Sequence, residues 1–291
     1  MSSFNLEKYG YVLIYKVLSK FQRFFYLIHK YFKAKSEDTK YELYKMDFGN
    51  RDTDIFIVTY PKSGTTLTQM ILHQLTSSGG ADFNHIYDVS PWLSYASTRN
   101  TDYSHLPEPR IIKSHDNYHR FCPETKGKFI HIIRNGMDVA LSLYHQNKNY
   151  NFSELNSDDF FNHFLKERKS NWFNFNKNWL DNEHNFDILY LSYEDLISDK
   201  EQVISKIIKH CNLKPTDFQI ENALYFSSFE FMKSHENKFG EQPNEDKVVY
   251  NQFIREGKVG KGSDLFNDNQ KSRYQEMVKI LKSNSEFAHY L

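Results

Sequence analysis

Residues 55–72 read IFIVTYPKSGTTLTQMIL, and this stretch decides the fold. Its first part is a short β-branched and aromatic run; from Thr65 on, apolar residues recur at helical spacing. Between them stand Pro61, Lys62, Ser63 and Gly64. A strand that turns tightly into a helix points backbone N–H groups, and the positive end of the helix dipole, at an anion. Gly64 permits close approach, Ser63, Thr65 and Thr66 offer hydroxyl donors, and Lys62 adds a positive charge. Pro and Gly also punctuate ordinary turns, but the density of anion-binding groups favours a phosphate cradle. The stretch is not the G-x-x-x-x-G-K-[ST] signature of nucleoside triphosphatases. Its lysine precedes the glycine, and no acidic metal-holding partner is evident.

The flanking chain continues the alternation. RIIKSH (110–115), KFIHIIRN (128–135) and FDILYLSYEDL (186–196) are further short apolar runs, while GMDVALSLYHQNKN (136–149) and SDKEQVISKIIKHCN (198–212) are helical. Strands alternating with helices predict parallel βαβ units. The expected fold is α/β: a single domain with a central parallel β-sheet flanked by helices and a P-loop-like strand–loop–helix. Residues 46–291 are assigned to that domain and residues 1–45 to an N-terminal amphipathic helical extension. After residue 216 the pattern is mainly helix and loop, with glycines clustered in 257–262. In open α/β sheets, ligands bind beyond the carboxyl ends of the strands. Lys62, Lys113 with His115, and Arg134 stand at three such ends, which predicts one shared anion site.

The 37 Lys and Arg balance the 37 Asp and Glu. No global field draws such a chain to nucleic acid, so the anion site must be local. Cys122 and Cys211 have no metal-type spacing, which predicts neither a disulfide scaffold nor a metal site and suits a reducing, cytoplasmic compartment. Residues 11–32, YVLIYKVLSKFQRFFYLIHKYF, are apolar but interrupted by Lys16, Lys20, Arg23, His29 and Lys30. No unbroken run approaches the ~20 residues of a membrane span, and no signal-peptide cleavage site follows. At helical spacing Lys16, Lys20, Arg23 and Lys30 fall on one stripe, and the remaining face is rich in Phe, Tyr, Leu and Ile. Packing on the domain, binding of a partner helix and peripheral membrane contact through residues 9–33 all suit such a segment.

TYPKSGTT (59–66) resembles the 5′-phosphosulfate loop of the cytosolic sulfotransferases, which use 3′-phosphoadenosine 5′-phosphosulfate (PAPS). KSHDN (113–117), IIRNGMDVALSLYH (132–145), LYLSYEDL (189–196), SSFEFMK (227–233) and FIREGKVG (253–260) resemble further segments of that family in the same order. The resemblance implies transfer of a sulfuryl group from PAPS, as co-substrate, to the hydroxyl of a small, apolar acceptor. It implies His115 as general base, Lys62 neutralising the leaving phosphate oxygen, and Lys113 assisting at the sulfuryl group. Ser63, Gly64, Thr65 and Thr66 are implied to hold the 5′-phosphate; Arg134 and Ser142, with Arg255 and Gly257, the 3′-phosphate. Leu67, Tyr193, Ser227 and Phe229 are implied to contact the nucleoside. His119 is the competing base. A sulfuryl group carries less negative charge than a phosphoryl group, so a metal ion is less necessary.

The sequence departs from the family pattern at Leu67, where the family often has Trp, and at Glu256, where it has Lys; Gly260-Lys261-Gly262-Ser263 replaces Gly-Asp-Trp-Lys. The family's C-terminal dimer motif is not recognisable after Phe266, so dimerisation by that route is not expected. Aromatic residues of 81–107 (Phe83, Tyr87, Trp92 and Tyr95, with Leu93) and of 144–152 (Tyr144, Tyr150 and Phe152) are candidate acceptor walls. Two alternatives differ in kind: a magnesium-dependent kinase, and a nucleotide-binding or membrane-associated pseudoenzyme supported by Leu67 and Glu256.

Overall fold

The structure is a computed structural model describing residues 3–77, 79–149, 156–166, 171–240 and 253–283. Strands β1 (Ile55–Thr59), β2 (Ile111–Ser114), β3 (Lys128–Ile133) and β4 (Ile188–Ser192) form one parallel sheet in the order β2-β1-β3-β4. Ile55 is in register with Ile111 on one side and Lys128 on the other, and Phe129 with Ile188. All five residues of β1 are buried, because an inner parallel strand is covered on both faces; its polar member, Thr59, has its hydroxyl 2.6 Å from that of Thr65. The chain passes from β1 to its neighbour β2 and then crosses to β3 on the opposite side of β1. That reversal opens a crevice at the carboxyl ends of β1 and β3, where residues 60–64 and Arg134 leave the sheet.

The helices are α1 (Ser3–Phe48), α2 (Thr65–Thr76), α3 (Leu93–Arg99), α4 (Gly136–Asn149), α5 (Ser157–Phe164), α6 (Trp172–Asp181), α7 (Tyr193–Ser198), α8 (Lys200–His210), α9 (Asp217–Phe226), α10 (Phe229–Ser234) and α11 (Asp268–Ser283). The strands and helices read from the alternating pattern are all present. Helices α5 and α6 were not anticipated. Their segments are amphipathic at helical spacing but rich in Asn and Phe, which are weak helix formers, and they are started by Asn156 and Asn171, whose side chains accept from the N–H groups of Asp159 and Asn174.

Two compact units are distinguished: Met1–Gly49 with Leu93–Asp102, and Asn50–Trp92 with Tyr103–Leu291. In the larger, Ile55, Ile57, Ile71, Leu72, Val203 and Ile207 make one continuous core with Leu191 and Ala223. Phe161, Trp172, Phe266 and Tyr274 pack with Val139 and Ala140 of α4 in a second cluster. Asp54, at the start of β1, is buried and accepts Nε and Nη2 of buried Arg110 at 2.8 and 2.7 Å, tying the entry ends of β1 and β2 together. In the smaller unit Tyr41 is buried, the Tyr44 hydroxyl donates to Thr101 O at 2.6 Å, and Lys40 Nζ to Thr98 O at 3.4 Å. The last turns of α1 thus pack with the α3 segment, whereas side chains from Tyr15 to Phe32 are almost all exposed.

Candidate active site

A cavity of about 650 Å³ lies at the carboxyl ends of the strands, within the usual range for small-molecule sites. Lys62 and Gly64 of its first wall both adopt left-handed backbone conformations (φ 70° and 93°). For lysine this is strained and persists only where the surroundings enforce it. Arg134 does so: its Nη1 donates to the Lys62 carbonyl at 2.8 Å. A Cβ on Gly64 would stand 2.7 Å from the Tyr193 ring, so the close approach inferred from the sequence is a packing requirement here. Gly64 provides no side-chain bond to the first turn of α2. The first turn of α4 is closed from within instead: Gly136 N–H donates to the Tyr274 hydroxyl at 2.8 Å, and Met137 N–H to Asn135 Oδ1 at 3.0 Å. Of the two helices, α2 is therefore the one whose N-terminus suits an anion.

The end of β2 supplies the second wall. Lys113 is buried, its Nζ 2.9 Å from the Tyr87 hydroxyl and 4.3 Å from the Trp92 ring centroid. His115 Nδ1 lies 2.8 Å from Thr59 O. A carbonyl can only accept, so Nδ1 carries the hydrogen and Nε2 the lone pair. Burial, with the Lys113 and Lys62 charges, lowers the His115 pKa to about 3 against the opposing pull of the Thr59 bond. The imidazole is thereby held neutral, its acceptor nitrogen identified. His131 on β3 makes the contrast: it is fully buried, with Val58 O and Asn176 Oδ1 at 3.0 and 3.2 Å from its two nitrogens. It is a core histidine.

Arg134 leaves β3 with its guanidinium 4.2 Å from the Tyr193 ring centroid and Nη2 3.4 Å from Lys258 O. Ser142, two turns along α4, lines the same cavity, as do Tyr193 at the start of α7 and Ser227, Phe229, Arg255 and Gly257. Gly257 (φ 62°) lies where a Cβ would be 2.6 Å from the Phe229 ring. Glu256 is exposed and approaches Arg255 Nη1 at 3.2 Å, so its carboxylate has a cation beside it. The 257–262 segment is secured by a residue the sequence reading passed over. Buried Asp138 accepts from Gly260 N–H and Gly262 N–H at 2.7 and 2.6 Å.

A Cβ on Gly262 would lie 2.2 Å from the Met137 carbonyl carbon, and backbone cannot swing aside as a side chain can. Gly262→Ala is expected to destabilise the protein by about 1–3 kcal/mol, which thermal denaturation checks.

Among the sequence-predicted site residues, Lys62, Gly64, Thr65, Thr66, Leu67, Lys113, His115, Arg134, Ser142, Tyr193, Ser227, Phe229, Arg255 and Gly257 all line this cavity. Ser63 does not; its side chain is buried. His119 is exposed and lies off the cavity. Of the candidate acceptor walls, Tyr87 and Trp92 line it. Phe83 packs on Phe239, and Tyr144 on Phe160 and Phe161, because their rings complete aromatic clusters instead. Leu93 and Tyr95 belong to the smaller unit, and Tyr150 and Phe152 lie outside the described residues. Sequence reasoning missed Phe253, whose ring centroid is 4.3 Å from Lys62 Nζ, and the cavity-lining Lys200 and Lys258. Phe253 and Lys258 stood within the FIREGKVG segment; nothing local marked Lys200.

Among the described residues, four buried side-chain polar atoms have no hydrogen-bond partner: Ser63 Oγ, Gln69 Oε1, Arg134 Nε and Ser227 Oγ. Such orphans are rare in folded proteins. Three sit on residues predicted to bind the nucleotide, on different elements, and two of those residues line the cavity. This donor set fits an anionic nucleotide with phosphates at two places.

A sulfotransferase domain matches residues 52–287. The chain belongs to the sulfotransferase family. The rabbit (Oryctolagus cuniculus) amine sulfotransferase is 31% identical over 233 residues, covering 74% of this chain and 75% of the relative. The guinea-pig (Cavia porcellus) 3-beta-hydroxysteroid sulfotransferase is 31% identical over 221 residues, covering 72% and 77%. A mouse sulfotransferase crystallised with PAP has a similar fold, with TM-score 0.63, 23% identity, and 84% and 88% coverage. In this sulfotransferase, helix α1 precedes the matched region.

Proposed function

We propose that this sulfotransferase transfers the sulfuryl group of PAPS to the hydroxyl of a small, apolar acceptor in the cytoplasm. Residues 46–291 form its catalytic domain, and residues 1–45 an extension outside it. The observation that carries the reading is the convergence on one cavity of Lys62, Lys113, Arg134 and Arg255 with a neutral imidazole.

When bound, the nucleotide supplies the sulfuryl group and the leaving phosphate. His115 Nε2 accepts the proton of the acceptor hydroxyl, and the Thr59 carbonyl holds the ring in the tautomer that can do so. Lys62 offsets charge on the leaving oxygen, with Lys113 assisting, in the manner of other transfers that rely on positioning and electrostatics. The N–H groups at the start of α2 and the hydroxyls of Thr65 and Thr66 hold the 5′-phosphate. Arg134, Ser142 and Arg255 hold the 3′-phosphate, Arg134 through its planar donor fork. Lys258 brings to the cavity the positive charge that Glu256 does not. Leu67 and Phe229 cover the base. Tyr87, Trp92 and Leu143 form an apolar wall, which favours a flat, uncharged acceptor over a glycan. Of the relatives, the one named for a 3-beta-hydroxysteroid supports a hydroxyl acceptor, while the other is named for an amine.

Calorimetric titration with 3′,5′-adenosine bisphosphate, without magnesium and with ADP as control, tests this reading. Micromolar binding of the bisphosphate and much weaker binding of ADP are expected. Absence of binding, or a preference for ADP, would overturn the 3′-phosphate site and leave a pseudoenzyme or a kinase in its place.

A further inference from the structure

Between Glu7 and Glu37 the chain contains no acidic residue, yet it carries Lys16, Lys20, Arg23, Lys30 and Lys33. In a protein of zero net charge this is a marked local excess. The whole interval lies on α1. At about 100° per residue, Val17, Phe21, Phe24, Ile28 and Phe32 share one face, and Lys16, Lys20, Arg23 and Lys30 form an adjoining stripe that borders it at Lys20. In most folded proteins a face of that kind is buried. Here Phe21 and Phe24 are 57% and 56% exposed, and Val17, Ile28 and Phe32 are exposed as well. Among the described side chains of the helix, those at its far end, Tyr41 and Tyr44, fasten it within its unit.

We propose that residues 15–33 of α1 lie in the surface of an anionic lipid bilayer, with the phenylalanine face in the acyl boundary and the lysines among the headgroups. Three observations choose this occupant. The apolar face is wide and aromatic, as interfacial helices require, rather than the narrow seam of a coiled coil. The interval carries basic but no acidic side chains, so a second copy would set like charges together, whereas anionic headgroups neutralise them. The lysines also break the apolar run, and no described helix is long and apolar enough to cross a membrane. The helix therefore rests on the surface. This inference does not depend on the nucleotide site.

The test is co-sedimentation of the full chain with phosphatidylcholine vesicles, with and without phosphatidylserine. Partition is expected to be about tenfold or more stronger to the anionic vesicles and to fall with added salt. The triple variant Phe21→Asp, Phe24→Asp, Ile28→Asp should abolish it, and Lys16→Glu, Lys20→Glu, Arg23→Glu should remove the preference for phosphatidylserine. All six side chains face solvent, so both variants should bind adenosine bisphosphate as the parent does, which certifies the fold. No partition by a protein that binds the bisphosphate would overturn the proposal. So would equal partition to neutral vesicles, or a dimer in solution that the aspartate variant dissociates.

Discussion

His115→Ala is expected to lower kcat by about two to four orders of magnitude while leaving bisphosphate affinity nearly unchanged. The reason is local. His115 is half-buried between Trp92, 5.4 Å away edge-on, and the Thr59 carbonyl that fixes its tautomer. Among the described residues no second histidine lines the cavity: the competing His119 is exposed and off it. The same environment sets the pH dependence. Protonation destroys the acceptor lone pair, and a pKa lowered to about 3 keeps the ring neutral far below the ordinary histidine range. The rate of the wild-type enzyme should therefore be flat from about pH 5 to 8, with no acid limb near 6.5. A limb near 6.5 would show a base other than a desolvated histidine. Loss of bisphosphate binding in the variant would assign His115 a structural role.

Lys62→Ala is expected to lower kcat by about 10²–10³-fold, with a smaller effect on bisphosphate affinity. The lysine follows a strand end directly, and its backbone is held in a strained left-handed conformation by the Arg134 fork. Its ammonium group is set 4.3 Å from the Phe253 ring centroid rather than left to swing in solvent. Preorganised charge of this kind gains most where charge develops, so the loss should appear in the chemical step. Lys62→Arg, which keeps the charge but broadens the group, should recover part of the rate. A near-normal rate in Lys62→Ala would remove this residue from the mechanism. The split between kcat and binding separates it from Arg134, whose removal should weaken binding first.

The sulfotransferase motifs were legible because each ligand-binding segment is a short continuous piece at a strand end. IFIV is apolar throughout, since β1 is an inner strand, and the PKSGTT turn must follow it closely wherever the rest of the chain goes. Arg134 and Ser142 share a strand–helix junction, so their spacing survives in one dimension. Those features, with the order of the segments, determined from sequence alone the parallel α/β fold, the family resemblance and many of the residues that line the cavity. Other contacts were decided only by tertiary structure, because they join residues far apart in the chain. Asp138 reaches Gly260 and Gly262, Phe253 covers Lys62, and Lys200 donates to Ser227 O at 2.6 Å. Tyr144 and Phe83 were read as acceptor walls because aromaticity does not reveal which way a ring points. Packing sent both into aromatic clusters. The N-terminal segment divides in the same way. Its lysine stripe and apolar face were visible as periodicity, but their exposure along α1 is a property of burial, which depends on which surfaces the rest of the chain offers.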